Sequence, residues 1–312
     1  MVQYDGILLC NKPFGITSHD LINNLKHIIE QRRIGHTGTL DPRATGLMII
    51  CLGRATKIAQ FLSGVDKTYS AEIKLGFRSL TFDSEGITDK MESNPVPHVT
   101  MDDMKSLLSE FKGVIKQKVP AFSAVKVEGQ RLYKLARVGK QIELPEREVE
   151  IKELEITKFE PPIIEFTVSC SKGTYIRTLA NDIGERIGCG AYLSHLNRTK
   201  VGNYQLKDAL SINEIKYYRQ AGTLKRYLKP IESVLPFPAI KVSENFSPGI
   251  ISGKSPRTKD IIDIHGEFSP NDFISLVDYT GRIMAVGKAG IKSSDLNEIQ
   301  GKDFFTYVRV LN

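Results

Sequence analysis

The densest cluster of chemically capable residues is the run Gly35-His36-Thr37-Gly38-Thr39-Leu40-Asp41-Pro42-Arg43-Ala44-Thr45-Gly46. The glycines around His36 let the backbone approach something bulky. Asp41 precedes a proline, whose ring disfavours the helical region for the residue before it and holds that residue extended. A carboxylate fixed in this way, where the chain enters the apolar run Leu47–Leu52, is a candidate catalytic group. An Asp-Pro turn whose side chain only hydrogen-bonds within its own loop would use the same residues without chemistry. The loop alone leaves both readings open.

Several other chemistries are absent. There is no G-x-x-x-x-G-K-[ST] phosphate loop, no G-x-G-x-x-G after a strand and no G-x-S-x-G nucleophile elbow. The six histidines and four cysteines form no C-x-x-C and no H-x-x-x-H, so no metal is expected. Cys10, Cys51, Cys170 and Cys189 are too few and too scattered for a disulfide framework and fit a reducing compartment. The longest apolar run, Leu47–Leu52, falls far short of the ~18 residues a membrane helix needs. The opening MVQYDGILLCNKP has no basic segment of the kind that begins a signal peptide. A cytoplasmic protein with no membrane partner is expected.

The elements that must position the loop follow from periodicity. Residues 5–12 and 47–52 read as buried strands, and Tyr69–Phe77 alternates like a half-buried one. Thr17-Ser18-His19-Asp20 is a capping pattern opening a helix through Leu21, Leu25, Ile28 and Ile29. Gly35, Gly38 and Pro42 predict a loop. Thr100–Asp103 and Ser211–Glu214 cap two further helices, and Ile176, Leu179, Ile183 and Ile187 mark another that ends at Gly188. Val149–Phe159 and Ile163–Cys170 read as a strand pair. Strands and helices mix without regular βαβ alternation, which predicts an α+β domain around an antiparallel or mixed sheet flanked by helices. The prolines in KPIESVLPFP mark a boundary, giving domains 1–236 and 237–312, the second a small, mostly-β, barrel-like unit.

Length supports this division, since 312 residues correspond to about two domains. Hydrophobic content of 41% and charged content of 25% exclude disordered and collagenous chains. The formal net charge of +7 points toward a polyanionic partner, and its distribution says more than its size. Residues 237–312 carry nine basic and nine acidic side chains and are neutral. Residues 112–140 carry eight basic side chains (among them Lys126, Arg131, Lys134 and Arg137) against the single acid Glu128. Phe122 and Tyr133 interleave with these cations, as in surfaces that stack bases while neutralising phosphates. A solvated basic face would show the same charges.

The Gly35–Gly46 run resembles the G-H-x-G-x-L-D-P-x-A-x-G motif of the TruB family of tRNA pseudouridine synthases. Asn11-Lys12-Pro13-x-Gly15, Asp66-Lys67-x-Tyr69, Thr81-x-Asp83-x-x-Gly86 and Ser171-Lys172-Gly173-Thr174-Tyr175-Ile176-Arg177-Thr178-Leu179 are similar to further motifs of that family, in order and spacing. So is the stretch from Gly188-Cys189-Gly190-Ala191 to Leu196-Asn197-Arg198-Thr199. The resemblance covers about residues 5–205 and implies a pseudouridine synthase fold followed by a PUA-like domain. Asn11 stands where some relatives have His, and no role is assigned to it.

The resemblance implies isomerisation of uridine 55 in the tRNA T-loop on a flipped-out base, without a cofactor. It makes Asp41 the essential carboxylate, as nucleophile or as base, with Arg177 holding it ionised. Otherwise Arg177 would be read as pairing with any acid or with phosphate. Tyr69 would be catalytic with Asp41 and Arg177, stacking on the flipped base with its hydroxyl near the atoms that exchange protons, His36 would fill the space the base leaves, and Tyr175 and Leu196 would wall the pocket. Tyr69 and Leu196 read equally as core. Lys12, Lys67 and Lys172 would be phosphate or scaffold lysines. The basic stretch coincides with an inserted loop, about 118–147, that clamps the T-arm and orders on binding. The partner implied is the tRNA T-arm stem-loop and the protein a monomer. A non-catalytic RNA-folding module and a guide-RNA-dependent relative are the competing classes. The intact Asp41, Tyr69 and Arg177 argue against the first, and the basic insertion against the second.

Overall fold

The computed structural model describes residues 3–311 apart from 89–90, 128, 141–142 and 299–303. Strand β1 (Gly6–Lys12) leads to helix α1 (Ser18–Ile29), the short strand β2 (Ile34–His36), β3 (Ala44–Leu52), helix α2 (Ala59–Leu62) and β4 (Lys67–Leu75). Then come α3 (Met101–Ser109), β5 (Gly113–Lys118), a small hairpin of β6 (Lys126–Val127) and β7 (Gln130–Arg131), and α4 (Leu132–Arg137). The strands β8 (Glu146–Glu160) and β9 (Ile163–Cys170) precede α5 (Ile176–Ile187), β10 (Ala191–Val201), β11 (Tyr204–Gln205), α6 (Ile212–Gln220) and α7 (Ile231–Val234). A second unit holds β12 (Ala239–Val242), α8 (Ser247–Ile251), β13 (Ile261–His265), β14 (Phe273–Val277), β15 (Ile283–Ala289) and β16 (Phe305–Val310).

The first unit is α+β, built on one sheet of nine strands with the path β1-β3-β10-β4-β9-β8-β5, to which β2 and β11 attach. All pairings are antiparallel except β3 with β10, so the sheet is mixed. The near-continuous apolar reading of β1 and β3 reflects burial of both faces. Leu8, Met48 and Ile50 pack with α1, α5 and α6 on one side, while Ile7, Leu47 and Ile49 face a second cluster on the other. On β4, Tyr69, Ala71 and Ile73 are buried while the residues between them are half-exposed. The three predicted capping boxes close α1, α3 and α6.

The loop that carries Asp41 emerges where β3 changes partner. Residues 50–52 of β3 pair with β2, while residues 44–46 pair with β10. Chain 37–43 bridges the two regions at the sheet margin. Gly46 makes the change possible: its φ is +109°, and a Cβ there would lie 2.4 Å from the Arg198 carbonyl oxygen. Only glycine tolerates both conditions.

Two differences from the sequence reading concern this region. Gly35 and His36 lie on β2 rather than in the predicted loop, and the central strand β10 is not among the strands that periodicity predicts. The second unit is mostly β as expected, a mixed sheet in the order β13-β12-β14-β15-β16. It is fused to the first through shared core: Val277, Ile283, Val286 and Leu311 pack with Ile7, Leu47, Ile49 and Cys51. Buried Arg54 crosses the seam, donating from Nε to the Leu311 carbonyl at 3.1 Å and from Nη2 to the Ile283 carbonyl. Glu128, part of the basic stretch, lies outside the described residues.

Gly46→Ala is expected to cost about 2 kcal/mol or more, because it adds left-handed strain to a clash with backbone. A urea midpoint equal to that of the parent chain would show that the crossover does not depend on glycine.

Candidate active site

The backbone around Asp41 is pinned from three sides. Buried Ser18, at the start of α1, donates to the Leu40 carbonyl and accepts from the Leu40 N–H, both at 2.8 Å. The Pro42 carbonyl accepts from the Gly15 N–H at 2.9 Å and from Lys12 Nζ at 3.3 Å. Arg198 on β10 donates to the carbonyls of Gly38 at 3.0 Å, Thr39 at 3.4 Å and Leu47 at 2.7 Å. The Asp41 side chain itself is left 43% exposed. The result is a carboxylate on a fixed backbone that faces solvent.

Arg177, in the first turn of α5, supplies the counter-charge. Its Nε lies 3.0 Å from Asp41 Oδ2, an ion pair whose N–H is not aligned for a hydrogen bond. Nη1 donates to the Thr81 carbonyl at 3.1 Å and lies 3.5 Å from Asp83 Oδ2, and Nη2 donates to the Phe122 carbonyl at 3.1 Å. Its side chain is only 6% exposed, and that of Asp83 8%. Asp83 in turn accepts from the Thr81 hydroxyl and from the Glu85 N–H. The guanidinium is oriented by partners on two other segments of chain, the turn at 81–83 and Phe122, so it meets Asp41 in one geometry.

These residues open onto one cleft, lined by Asp41, Arg177, Asp83, Leu193, His195 and Leu196 among others. Of the sequence-predicted residues, Asp41, Arg177 and Leu196 therefore meet. Tyr69 sits one strand away, opposite Arg198 in the β4–β10 register, with its ring buried. Burial pushes its hydroxyl pKa upward, so the phenol is neutral near pH 7. His36 is half-buried on β2, and burial, reinforced by Arg198 and His19, holds its imidazole below the ordinary value. Tyr175 is the residue before α5, half-buried. Its backbone is clamped by Gln117, which accepts from the Tyr175 N–H at 2.7 Å and donates to its carbonyl at 2.9 Å.

Two expected phosphate contacts are corrected. Lys12 is fully buried and donates to the carbonyls of Pro13, Ile16 and Pro42. Burial lowers its pKa to about 8, against the opposing pull of Asp41. Lys67 is likewise buried, donates to the carbonyls of Ser63 and Val65, and is lowered to about 8 by burial. Both ammonium groups brace loops rather than face a ligand. Lys126, Arg131, Lys134 and Arg137 are exposed, and Arg137 lies 5.7 Å from the centre of the Tyr133 ring. Sequence reasoning assigns no role to Asp83, Gln117 or Arg198. The Thr81-x-Asp83-x-x-Gly86 spacing holds the signal for Asp83, since a Cβ on Gly86 would lie 2.4 Å from Ser79 Oγ and break the turn.

Among the described residues no cluster of His, Cys, Asp and Glu could hold a metal ion. No described helix is long and apolar enough to cross a membrane.

Comparison with known proteins places these features. Residues 26–176 match the model of the TruB family pseudouridylate synthase N-terminal domain. Residues 177–236 match the tRNA pseudouridylate synthase B C-terminal domain, and residues 238–311 match the PUA domain. The chain is 39% identical over 292 residues to tRNA pseudouridine synthase B of Bacillus pumilus, covering 90% of this chain and 92% of that one. It is 38% identical to the Bacillus subtilis protein of the same name over 90% and 92% of the two chains. For the Coxiella burnetii protein the identity is 40%, over 91% and 90%. Among solved structures, an H/ACA RNP bound to a substrate RNA containing 2′-deoxyuridine superposes with a TM-score of 0.73 at 22% identity, covering 98% of this chain and 85% of that one. The archaeal box H/ACA sRNP Nop10–Cbf5 complex gives 0.73 at 22%, over 100% and 87%. At those identities the two structures speak to the fold.

The site separates stability from chemistry. Arg177→Met strands the Asp83 carboxylate in the interior and is expected to cost about 3–5 kcal/mol. Asp41→Asn breaks a half-exposed pair and should cost no more than ~1 kcal/mol. Urea titrations that give equal losses for the two variants would contradict this division.

Proposed function

Since the chain belongs to the TruB family of pseudouridine synthases, and so isomerises uridine to pseudouridine in tRNA, we propose that its target is uridine 55 of the T-loop and that Asp41 carries the chemistry. The observation that supports this most is the half-exposed carboxylate of Asp41, 3.0 Å from a buried guanidinium, on a loop pinned from three sides. The reaction breaks the C1′–N1 bond, turns the uracil and joins C5 to C1′. The C5 proton passes to solvent and N1 gains one, so no electrons are transferred and no cofactor is called for.

The target base must first leave its stack, which is cheaper in a loop than in a duplex. In this reading the flipped uridine enters the cleft and covers Asp41, removing the water now in contact with it. Asp41 then acts either as a nucleophile on the sugar or base, or as a base that takes a sugar proton. Arg177 serves both routes by pairing with the carboxylate and aiming it. Leu196 and Tyr175 wall the uracil, Tyr69 offers its ring as a stacking surface, and His36, uncharged, stacks in the place the base has left. The cations at 126–137 clamp the T-arm through phosphates, and the insertion of about 118–147 works as a movable jaw on a monomeric enzyme. The divisions 1–236 and 237–312 then correspond to a chemical unit and an RNA-docking unit.

Asp41→Asn is expected to bind a T-arm stem-loop as tightly as the parent chain while releasing no proton label from C5 of uridine. Turnover at the parent rate would overturn the role of Asp41. Replacing Lys126, Arg131, Lys134 and Arg137 by Ala should flatten the dependence of log affinity on log salt by about 0.9 for each phosphate left without its cation. An unchanged slope would reduce the basic run to a solvated face.

A further inference from the structure

The end of α1 remote from the cleft carries a surface that the chemistry does not use. Ser18 opens α1 beside the Asp41 loop. At the other end Arg219 donates to the Ile29 carbonyl at 3.3 Å and to Glu30 at 3.0 Å. A helix of 12 residues, at ~1.5 Å each, separates the two ends by about 18 Å. Around Arg219 three tyrosines form a ladder. Tyr217 and Tyr218 have ring centres 5.3 Å apart at 70°, and Tyr218 and Tyr227 4.2 Å apart at 30°. The outer rings are open to solvent, Tyr217 64% exposed and Tyr227 38%.

The surroundings are basic. Residues 212–229 hold five Lys and Arg against one acid, Glu214. That acid is engaged in capping, accepting from the Ser211 N–H at 2.7 Å. Lys216, Lys225 and Arg226 are exposed and form no ion pair among the described residues. Flat aromatic faces left in water beside uncompensated cations match one ligand chemistry closely. Unpaired nucleotides present a π-face for stacking and a phosphate for charge at neighbouring positions. An acidic protein segment would satisfy the cations but not the ring faces.

We propose that the Tyr217–Tyr218–Tyr227 ladder with Lys216, Lys225 and Arg226 is a second RNA-binding surface, which takes unpaired nucleotides of the tRNA lying outside the arm held in the cleft. The proposal rests on the reading that the T-arm occupies the cleft. The surface adds affinity for the whole tRNA and none for the isolated arm.

The test compares full-length tRNA with a T-arm stem-loop, using the full chain and fluorescence anisotropy. Tyr217→Ala is expected to weaken full-length tRNA binding by about tenfold, and Tyr217→Phe to restore it. Replacing Lys216, Lys225 and Arg226 by Ala should lower the salt slope for full-length tRNA by about 2. Stem-loop affinity should be unchanged in every variant. Unchanged affinity for full-length tRNA, or equal losses on both RNAs, would overturn the proposal. If the parent chain neither binds nor modifies the stem-loop, the T-arm reading fails instead. The ladder is then judged on full-length tRNA alone, by the same tenfold loss.

Discussion

The structure is organised around one buried guanidinium. Arg177 has almost no contact with water, so its surroundings must stand in for hydration. They do so with contributions from different parts of the chain: the carboxylates of Asp41 and Asp83 and the carbonyls of Thr81 and Phe122, with only the Nε N–H left without an aligned acceptor. No single segment could satisfy it alone. The turn at 79–86, the root of the basic insertion, the Asp41 loop and the start of α5 must all arrive together. An unsatisfied partner on a buried charge is costly, which gives the arrangement its uniqueness.

Two further buried cations extend the pattern. Lys12 and Arg198 are directed mainly at backbone carbonyls rather than at carboxylates. Carbonyl dipoles stabilise a cation without neutralising it. Asp41 pairs with Arg177 and lies within the field of Lys12, and both cations are already tethered elsewhere. Its carboxylate keeps an exposed face. For the role proposed for Asp41, fixed charges of this kind would supply the preorganisation that lowers barriers without motion at the moment of reaction.

Much of this can be read from residue order, and the exceptions have physical causes. Strands β1, β3 and β4 and helices α1, α3, α5 and α6 follow from periodicity and caps, and Asp41 and Arg177 stand inside dense motifs. Strand β10 escapes because register shifts between Leu193 and His195 and between Arg198 and Lys200 break its alternation. Strand β2 has three residues, one of them glycine, and exists only because β3 offers it an edge. Strand β13 exposes or half-exposes every residue, so it carries no apolar stripe to detect. Arg198 and Gln117 act through main-chain atoms, which every residue possesses, and no spacing reveals which carbonyl or amide a side chain will find. Lys12 and Lys67 mislead for a related reason: a lysine in a motif looks like a surface charge until the carbonyls around it are known.

The seam between the two sheets has a consequence of its own. Because Arg54 is bound by the carbonyls of Ile283 and Leu311 in the second unit, and because both units share one apolar cluster, the pair cannot hinge without opening a core. The two units then behave as a gauge of fixed span. An RNA that touches both must already fit the distance between them, or bend to it. A misfolded RNA with the right loop sequence would reach one unit and miss the other. In the proposed reading, rigidity of this kind would let overall shape contribute to the choice of RNA.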